Sequence, residues 1–167
     1  MTRLAWRIAT DTRHYEADDL SGTGAERSGG RWNEAGVPMV YAASNRALAC
    51  LETIVHLNAG GLPFNRYLVE IAVPDVLWDE AIATSPEMLP VGWEALPAGR
   101  ASMTFGTRWA TARTSALLIV PSAIVPEESN ILLNPRHPDA RHVVARKIRR
   151  WTYDPRLTSD PPGRQGQ

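Results

Sequence analysis

GGRWNEAGVPMVYAASNRALACLETIVH, residues 29 to 56, decides how the rest of the chain is read. Two glycines lead into Arg31, Trp32 and Asn33, and a short apolar run with β-branched and aromatic character, Val37 to Ala42, then reads as a strand. Ser44 stands where a helix N-cap belongs, and Leu48, Leu51 and Ile54 or Val55 recur at helical spacing over Asn45 to about Asn58. On the other side of that helix, steps of three and four residues put Asn45, Ala49, Glu52 and His56 in one row. Ala59 to Gly61, AGG, supplies an ordinary C-terminal stop. An arginine followed by a strand and a helix with a polar row is the outline of half a binding site.

Working outward, Asp18 to Gly30 is a loop rich in Gly, Ser and Asp, and Leu4 to Ala9 upstream of it alternates as a half-buried strand does. Downstream, Arg66 to Pro74 alternates strongly and is a strand, while Leu77 to Arg100, with Trp78, Trp93 and several prolines, reads as loops with a short helix. Ser102 to Arg113 reads as a helix leading into a buried strand, Ala116 to Val120, after which Pro121 ends ordinary pairing. A further short strand is expected at Asn130 to Leu133, followed by the basic segment VVARKIRRWTYD. Short mixed strands with interspersed helices and no βαβ regularity indicate an α+β fold. No repeat or linker divides the chain, so residues 1–157 form one compact domain and the tail 158–167, TSDPPGRQGQ, is expected to be disordered.

A hydrophobic fraction of 44% over 167 residues suffices for a core without disulfides or a structural metal. Cys50 is the single cysteine, which fits a reducing compartment. The N-terminus, MTRLAWRIATDTRHY, lacks a signal-peptide apolar run and no segment is long enough to cross a bilayer, so a cytoplasmic location and no membrane partner are expected. Lys+Arg 18 against Asp+Glu 18 gives no global attraction to nucleic acid, though a local basic patch stays open.

Metal chemistry is discounted because His14, His56, His137 and His142 are scattered. Cys50 falls on the apolar side of the predicted helix and reads as core, not nucleophile. Walker, dinucleotide GxGxxG and GxSxG patterns are absent. What remains is Arg31, Tyr41, Glu52 and Ser122, with Trp32, Asn33, His56 and Asn130 as accessories. Singly each has an ordinary alternative: a surface cation, a strand-end core residue, a solvated helix carboxylate, a turn former after a proline.

Together, the 29–56 stretch, PSAIVPEESNILLNP at Pro121 to Pro135 and the HPDARH that follows resemble the RES domain, named for its Arg, Glu and Ser, the toxin half of RES–Xre toxin–antitoxin pairs. The resemblance spans Trp6 to about Trp151. It maps the family arginine to Arg31, the glutamate to Glu52 and a family tyrosine to Tyr41, and the serine to Ser122, with Ser115 seven residues earlier as the alternative. It implies a fold similar to ADP-ribosyltransferase toxins and consumption of NAD+ as substrate. The activity is either glycohydrolysis or, as in ParT-like toxins, transfer of ADP-ribose to a protein such as phosphoribosyl pyrophosphate synthetase. It also implies an Xre-like (ParS-like) antitoxin as partner, with nucleic acid met only through that antitoxin.

This chemistry suits the residue types. Cleaving the nicotinamide–ribose bond passes through a cation-like sugar that a carboxylate stabilises, the role expected of Glu52. A guanidinium offers a planar fork to a pyrophosphate, the role expected of Arg31. Tyr41 is expected to stack on nicotinamide, Ser122 to bond its amide or the ribose, and His56 to orient Glu52, while Trp32, Asn33 and Asn130 complete the NAD+ contacts. A competing reading is a nucleic-acid-binding or nuclease-like toxin that uses Arg141 to Arg150, a segment whose ordinary alternative is a solvated helix face.

Overall fold

The computed structural model describes residues 1–57 and 63–157. In chain order its elements are β1 (Thr2–Thr10), α1 (Thr23–Ser28), β2 (Val40–Ala43), α2 (Arg46–Ile54), β3 (Arg66–Pro74), α3 (Asp75–Asp79), β4 (Ile82–Ala83), α4 (Arg100–Ala112), β5 (Leu117–Pro121), β6 (Ser129–Leu133) and β7 (Val144–Trp151). The strands form one mixed sheet in the order β4-β5-β6-β2-β1-β3-β7, antiparallel throughout except for the short β4–β5 pair. This is an α+β domain, as the alternation of short strands and helices indicates. β1 pairs with β3 along nine residues, Thr2 opposite Pro74 to Thr10 opposite Arg66, because both segments alternate apolar and polar residues over the same length.

Register assigns the side chains to faces. Tyr41 lies opposite Leu132 and Ala43 opposite Asn130; Leu118 and Val120 lie opposite the same two β6 residues, and Trp6 lies opposite Ala43. A side-chain period of two therefore puts Tyr41, Ala43, Leu118, Val120, Asn130, Leu132 and Trp6 on one face. Two apolar clusters cover it. One packs Trp32, Trp93 and Trp109 on Leu118, Val120 and Leu132; the other packs Leu48 and Ala49 of α2 on Trp6, Ile8, Ala43 and Leu68. The opposite face carries Val40, Val69, Ile71, Leu117 and Ile131, closed by Ala17, Leu77 and Val143.

Several expectations are corrected. The N-cap of α2 is Asn45, not Ser44: Asn45 takes the extended backbone and its Oδ1 accepts from the Leu48 amide at 2.8 Å. The helix ends at Ile54, and the expected stop at Ala59 to Gly61 lies outside the described residues, as does the 158–167 tail. The loop before Gly29 holds α1, and the second strand starts three residues late, at Val40, since Pro38 cannot donate to a ladder. Pro121 is the last paired residue of β5, opposite Ser129. The basic segment forms not a helix but the edge strand β7, since Val144, Ala145, Arg146 and Lys147 register against Ala72, Ile71, Glu70 and Val69. Among the described residues, no helix is long and apolar enough to cross a membrane.

Candidate active site

Arg31 stands on a segment held from every side. The Asn33 side chain, fully buried, donates to the carbonyls of Ala25 (2.8 Å), Glu34 (3.2 Å) and Val37 (2.9 Å). The Tyr41 hydroxyl donates to Asn33 Oδ1 at 2.6 Å and accepts from the Trp32 amide at 2.9 Å. Burial pushes the Tyr41 phenol well above its ordinary value, against the lowering effects of the Trp32 backbone amide, of nearby Arg31 and of the Asn33 backbone, so the group stays a donor at neutral pH. The Trp32 ring stacks with Trp93 at 6.1 Å and meets the edge of Phe105 at 6.1 Å. On its backbone side, a Cβ at Gly106 would fall 2.0 Å from the Trp32 carbonyl oxygen, so α4 can lie this close to the segment because residue 106 is a glycine.

Out of this support the Arg31 side chain reaches the loop before α4. Its Nη1 donates to the carbonyls of Trp93 at 2.8 Å and Ala95 at 3.0 Å. Carbonyls fix the direction of a guanidinium without cancelling its charge. No Arg31 ion pair forms among the described residues, so its remaining N–H groups and its charge are available to an anion.

The second half is built on α2, β5 and β6. Glu52 Oε1 accepts from Ser122 Oγ at 2.8 Å and from Asn130 Nδ2 at 2.7 Å. Glu52 Oε2 has no protein donor among the described residues, so one oxygen is anchored and the other is open. Ser122 is fully buried, and its oxygen also accepts from the amides of Ile124 (3.1 Å) and Val125 (3.2 Å). Ser115, the alternative serine, is elsewhere: it accepts from Trp109 Nε1 at 2.9 Å and donates to the Leu117 carbonyl at 2.8 Å.

The structure thus joins Glu52, Ser122 and Asn130 directly and sets Tyr41 on the same sheet face, one alternate position along from Ala43, the residue opposite Asn130. Three expectations change. Trp32 and Asn33 are buried, and the Asn33 side-chain amide is satisfied internally, so they support Arg31 and do not offer a surface to a ligand. Ser122 is engaged on all sides and orients Glu52. His56 is exposed past the end of α2 and makes no side-chain hydrogen bond among the described residues, so it does not orient the carboxylate. Sequence reasoning missed Trp93 and Gly106, whose roles depend on approaches across more than sixty residues.

A cavity of about 710 Å³ lies elsewhere, between α4 and β4 against Phe105, Trp109 and Leu118. None of the polar cluster lines it. Convergent donors and an open carboxylate oxygen, not volume, mark the site. No group of three or more His, Cys, Asp or Glu among the described residues is placed to hold a metal ion. Chemically, Arg31 offers a directed cation and Glu52 a carboxylate with one oxygen anchored and the other without a protein donor among the described residues, groups suited to a substrate with an anionic centre and a carbon that turns positive.

Comparison with known proteins shows the family of the chain. The RES domain family matches residues 4–155. The chain is 66% identical over 157 residues to a Prs ADP-ribosylating toxin of Sphingobium sp. (strain YBL2), covering 94% of this chain and 98% of the relative. It is 39% identical over 156 residues to a Toxin Res of Pseudomonas putida, covering 92% and 99%, and 37% identical over 146 residues to a Toxin Res of Yersinia enterocolitica, covering 87% and 94%. With the match running from β1 to the end of β7, and so across both halves of the site, this chain belongs to the RES domain family.

Proposed function

We propose that this protein is the toxin of a toxin–antitoxin pair and that it cleaves NAD+ at the nicotinamide–ribose bond, delivering ADP-ribose to a protein side chain and, in its absence, to water. The observation that carries the reading is the Glu52 carboxylate, with Oε1 fixed by Ser122 and Asn130 and Oε2 open. In the reaction the C–N bond breaks, nicotinamide leaves with the bonding electron pair, and positive charge grows on the ribose carbon and ring oxygen. An oriented carboxylate beside that ribose stabilises the charge without having to reorganise. The nucleophile then forms the new bond to the ribose carbon and releases its proton to solvent. Arg31, directed by the Trp93 and Ala95 carbonyls, holds the pyrophosphate. Ser122, and not Ser115, is the functional serine on this reading, supported by its bond to Glu52.

The Sphingobium relative is named for Prs, and we extend that acceptor class, phosphoribosyl pyrophosphate synthetase, to this chain. An Xre-like antitoxin is its proposed partner, a cytoplasmic location its proposed setting, and residues 1–157 its functional unit. A nuclease reading draws less support, because Arg146 is paired with Glu70 at 2.7 Å and Lys147 with Glu16 at 2.7 Å, which leaves the basic strand partly neutralised.

The test is nicotinamide release from NAD+, with labelled NAD+ used to detect a modified acceptor. Wild type releases nicotinamide and Glu52→Ala does not. Intact NAD+ after incubation of wild type with phosphoribosyl pyrophosphate synthetase and cell extract would refute the reading; release without a labelled protein would assign the activity to hydrolysis.

A further inference from the structure

The carboxylate of Glu128 belongs to no role assigned so far, yet every partner of Glu52 is connected to it. Its Oε2 accepts a short hydrogen bond from Asn45 Nδ2 and another from Ser44 Oγ at 3.3 Å, so it grips the start of α2. Its own carbonyl accepts the Ser122 amide at 2.9 Å. Two residues further along the chain, Asn130 donates to Glu52. Asn45 and Glu52 are seven residues apart, two turns of helix, and therefore face the same way, about 10 Å apart along the axis. Between them Ala49 is buried, which lets the helix lie close to the sheet. The end of the β5–β6 turn thus holds α2 at two points: residue 128 at its first turn and residue 130 at its catalytic carboxylate.

We propose that Glu128 is a positioning residue that sets where Glu52 stands relative to Ser122 and Asn130. The proposal rests on the reading of Glu52 as the carboxylate that stabilises the ribose cation. α2 has nine residues and needs a fixed origin, because a rotation at Asn45 is carried along the helix to Glu52. Asn45 makes this a matter of donors and acceptors: its Oδ1 is committed to the Leu48 amide, so its Nδ2 is the group that faces Glu128, and only an acceptor there completes the pair.

That logic gives an exchange test. Glu128→Ala should lower kcat for nicotinamide release by about 10- to 100-fold, the range for a misplaced catalytic group, with KM for NAD+ within about twofold because the Arg31 segment is untouched. Glu128→Gln keeps an acceptor oxygen and should retain most of kcat. Asn45→Asp keeps the cap to Leu48 but sets two carboxylates against each other, and should lose kcat; the double variant Asn45→Asp/Glu128→Gln exchanges donor and acceptor and should recover it. A residue that merely supported folding would shift melting temperature while leaving kcat of the folded enzyme unchanged. The proposal is overturned if Glu128→Ala keeps kcat within twofold, or if the double variant is no better than Asn45→Asp alone; should Glu128→Ala fail to fold, the exchange pair still decides. The carboxyl ¹³C shift of Glu52 in the same variants gives a reading that does not depend on activity. It should move in Asn45→Asp and return in the double variant. Wild type without nicotinamide release would defeat the proposed activity, and the ¹³C shift would then judge the positioning role separately.

Discussion

Replacing Tyr41 by Phe removes one oxygen and separates two accounts of this residue. If the phenol served the substrate, the variant would fold as wild type does and lose activity. The structure gives it a different role, because the hydroxyl bridges the Trp32 amide at 2.9 Å and Asn33 Oδ1 at 2.6 Å, both on fully buried residues. Its loss strands a donor and an acceptor, each costing about 1–3 kcal/mol, so about 2–6 kcal/mol of stability should disappear. For a chain of this size that is a fall of roughly 4–24 °C in melting temperature. Because Trp32 and Asn33 carry Arg31, KM for NAD+ should rise by about tenfold or more while kcat at saturation changes less. Thermal melts followed by circular dichroism and steady-state nicotinamide release check both halves. An unchanged melting temperature with abolished kcat would refute the reasoning and hand the hydroxyl to the substrate. The same burial makes a statement about pH. A phenol whose folded value is raised above the ordinary tyrosine value contributes stability fully present below about pH 10 and lost as pH rises toward the folded value, since the unfolded chain gives up the proton first. Wild type should therefore lose stability above about pH 10 more steeply than Tyr41→Phe.

Other substitutions test the remaining parts. Ser122→Ala should lower kcat by about 10- to 100-fold, as expected for losing a hydrogen bond to a charged group, whereas Ser115→Ala should lower the denaturation midpoint and leave the kcat of the folded enzyme alone; equal kinetic effects would contradict the separation. Gly106→Ala drives a methyl group into the Trp32 carbonyl and should destabilise by about 3 kcal/mol or more, which urea denaturation would report; an unaltered midpoint would show that α4 can retreat. Arg31→Lys cannot span two carbonyls and an anion as a planar fork does, so KM for NAD+ should rise by about tenfold or more, measured at fixed ionic strength; an unchanged KM would remove Arg31 from pyrophosphate binding.

What the sequence disclosed was whatever is periodic or depends on residue type. β3 was legible because RYLVEIAVP alternates, and the row Asn45, Ala49, Glu52 followed from helical steps, although its His56 member failed because the helix stops at Ile54. Arg31 and Glu52 stood out because a guanidinium and a carboxylate suit the chemistry suggested by the family motifs. The rest depended on distance along the chain. Nothing local distinguishes a ligand-facing Asn33 from one sealed under three carbonyls, and Gly106 looks like an ordinary flaw in a helix until Trp32 is placed against it. The two-residue β4 has no period to detect, and β7 has cations in a pattern that fits a helix surface as well as a sheet edge. The family motif already pointed to Ser122 ahead of Ser115, but the bond to Glu52 that supports the choice was invisible before the fold, because the β5–β6 turn brings residue 122 to α2.

The bond from Asn130 to Glu52, spanning 78 residues, also has a meaning in time. A ribosome adding roughly 5–20 residues each second makes Asn130 about 4–16 s after Glu52. Until then the carboxylate lacks two of the groups that orient it, and β2 lacks its β6 neighbour. On the activity proposed above, a nascent copy spares the NAD+ pool for most of its synthesis, and a neutralising partner of the kind proposed has that interval, plus folding, in which to arrive.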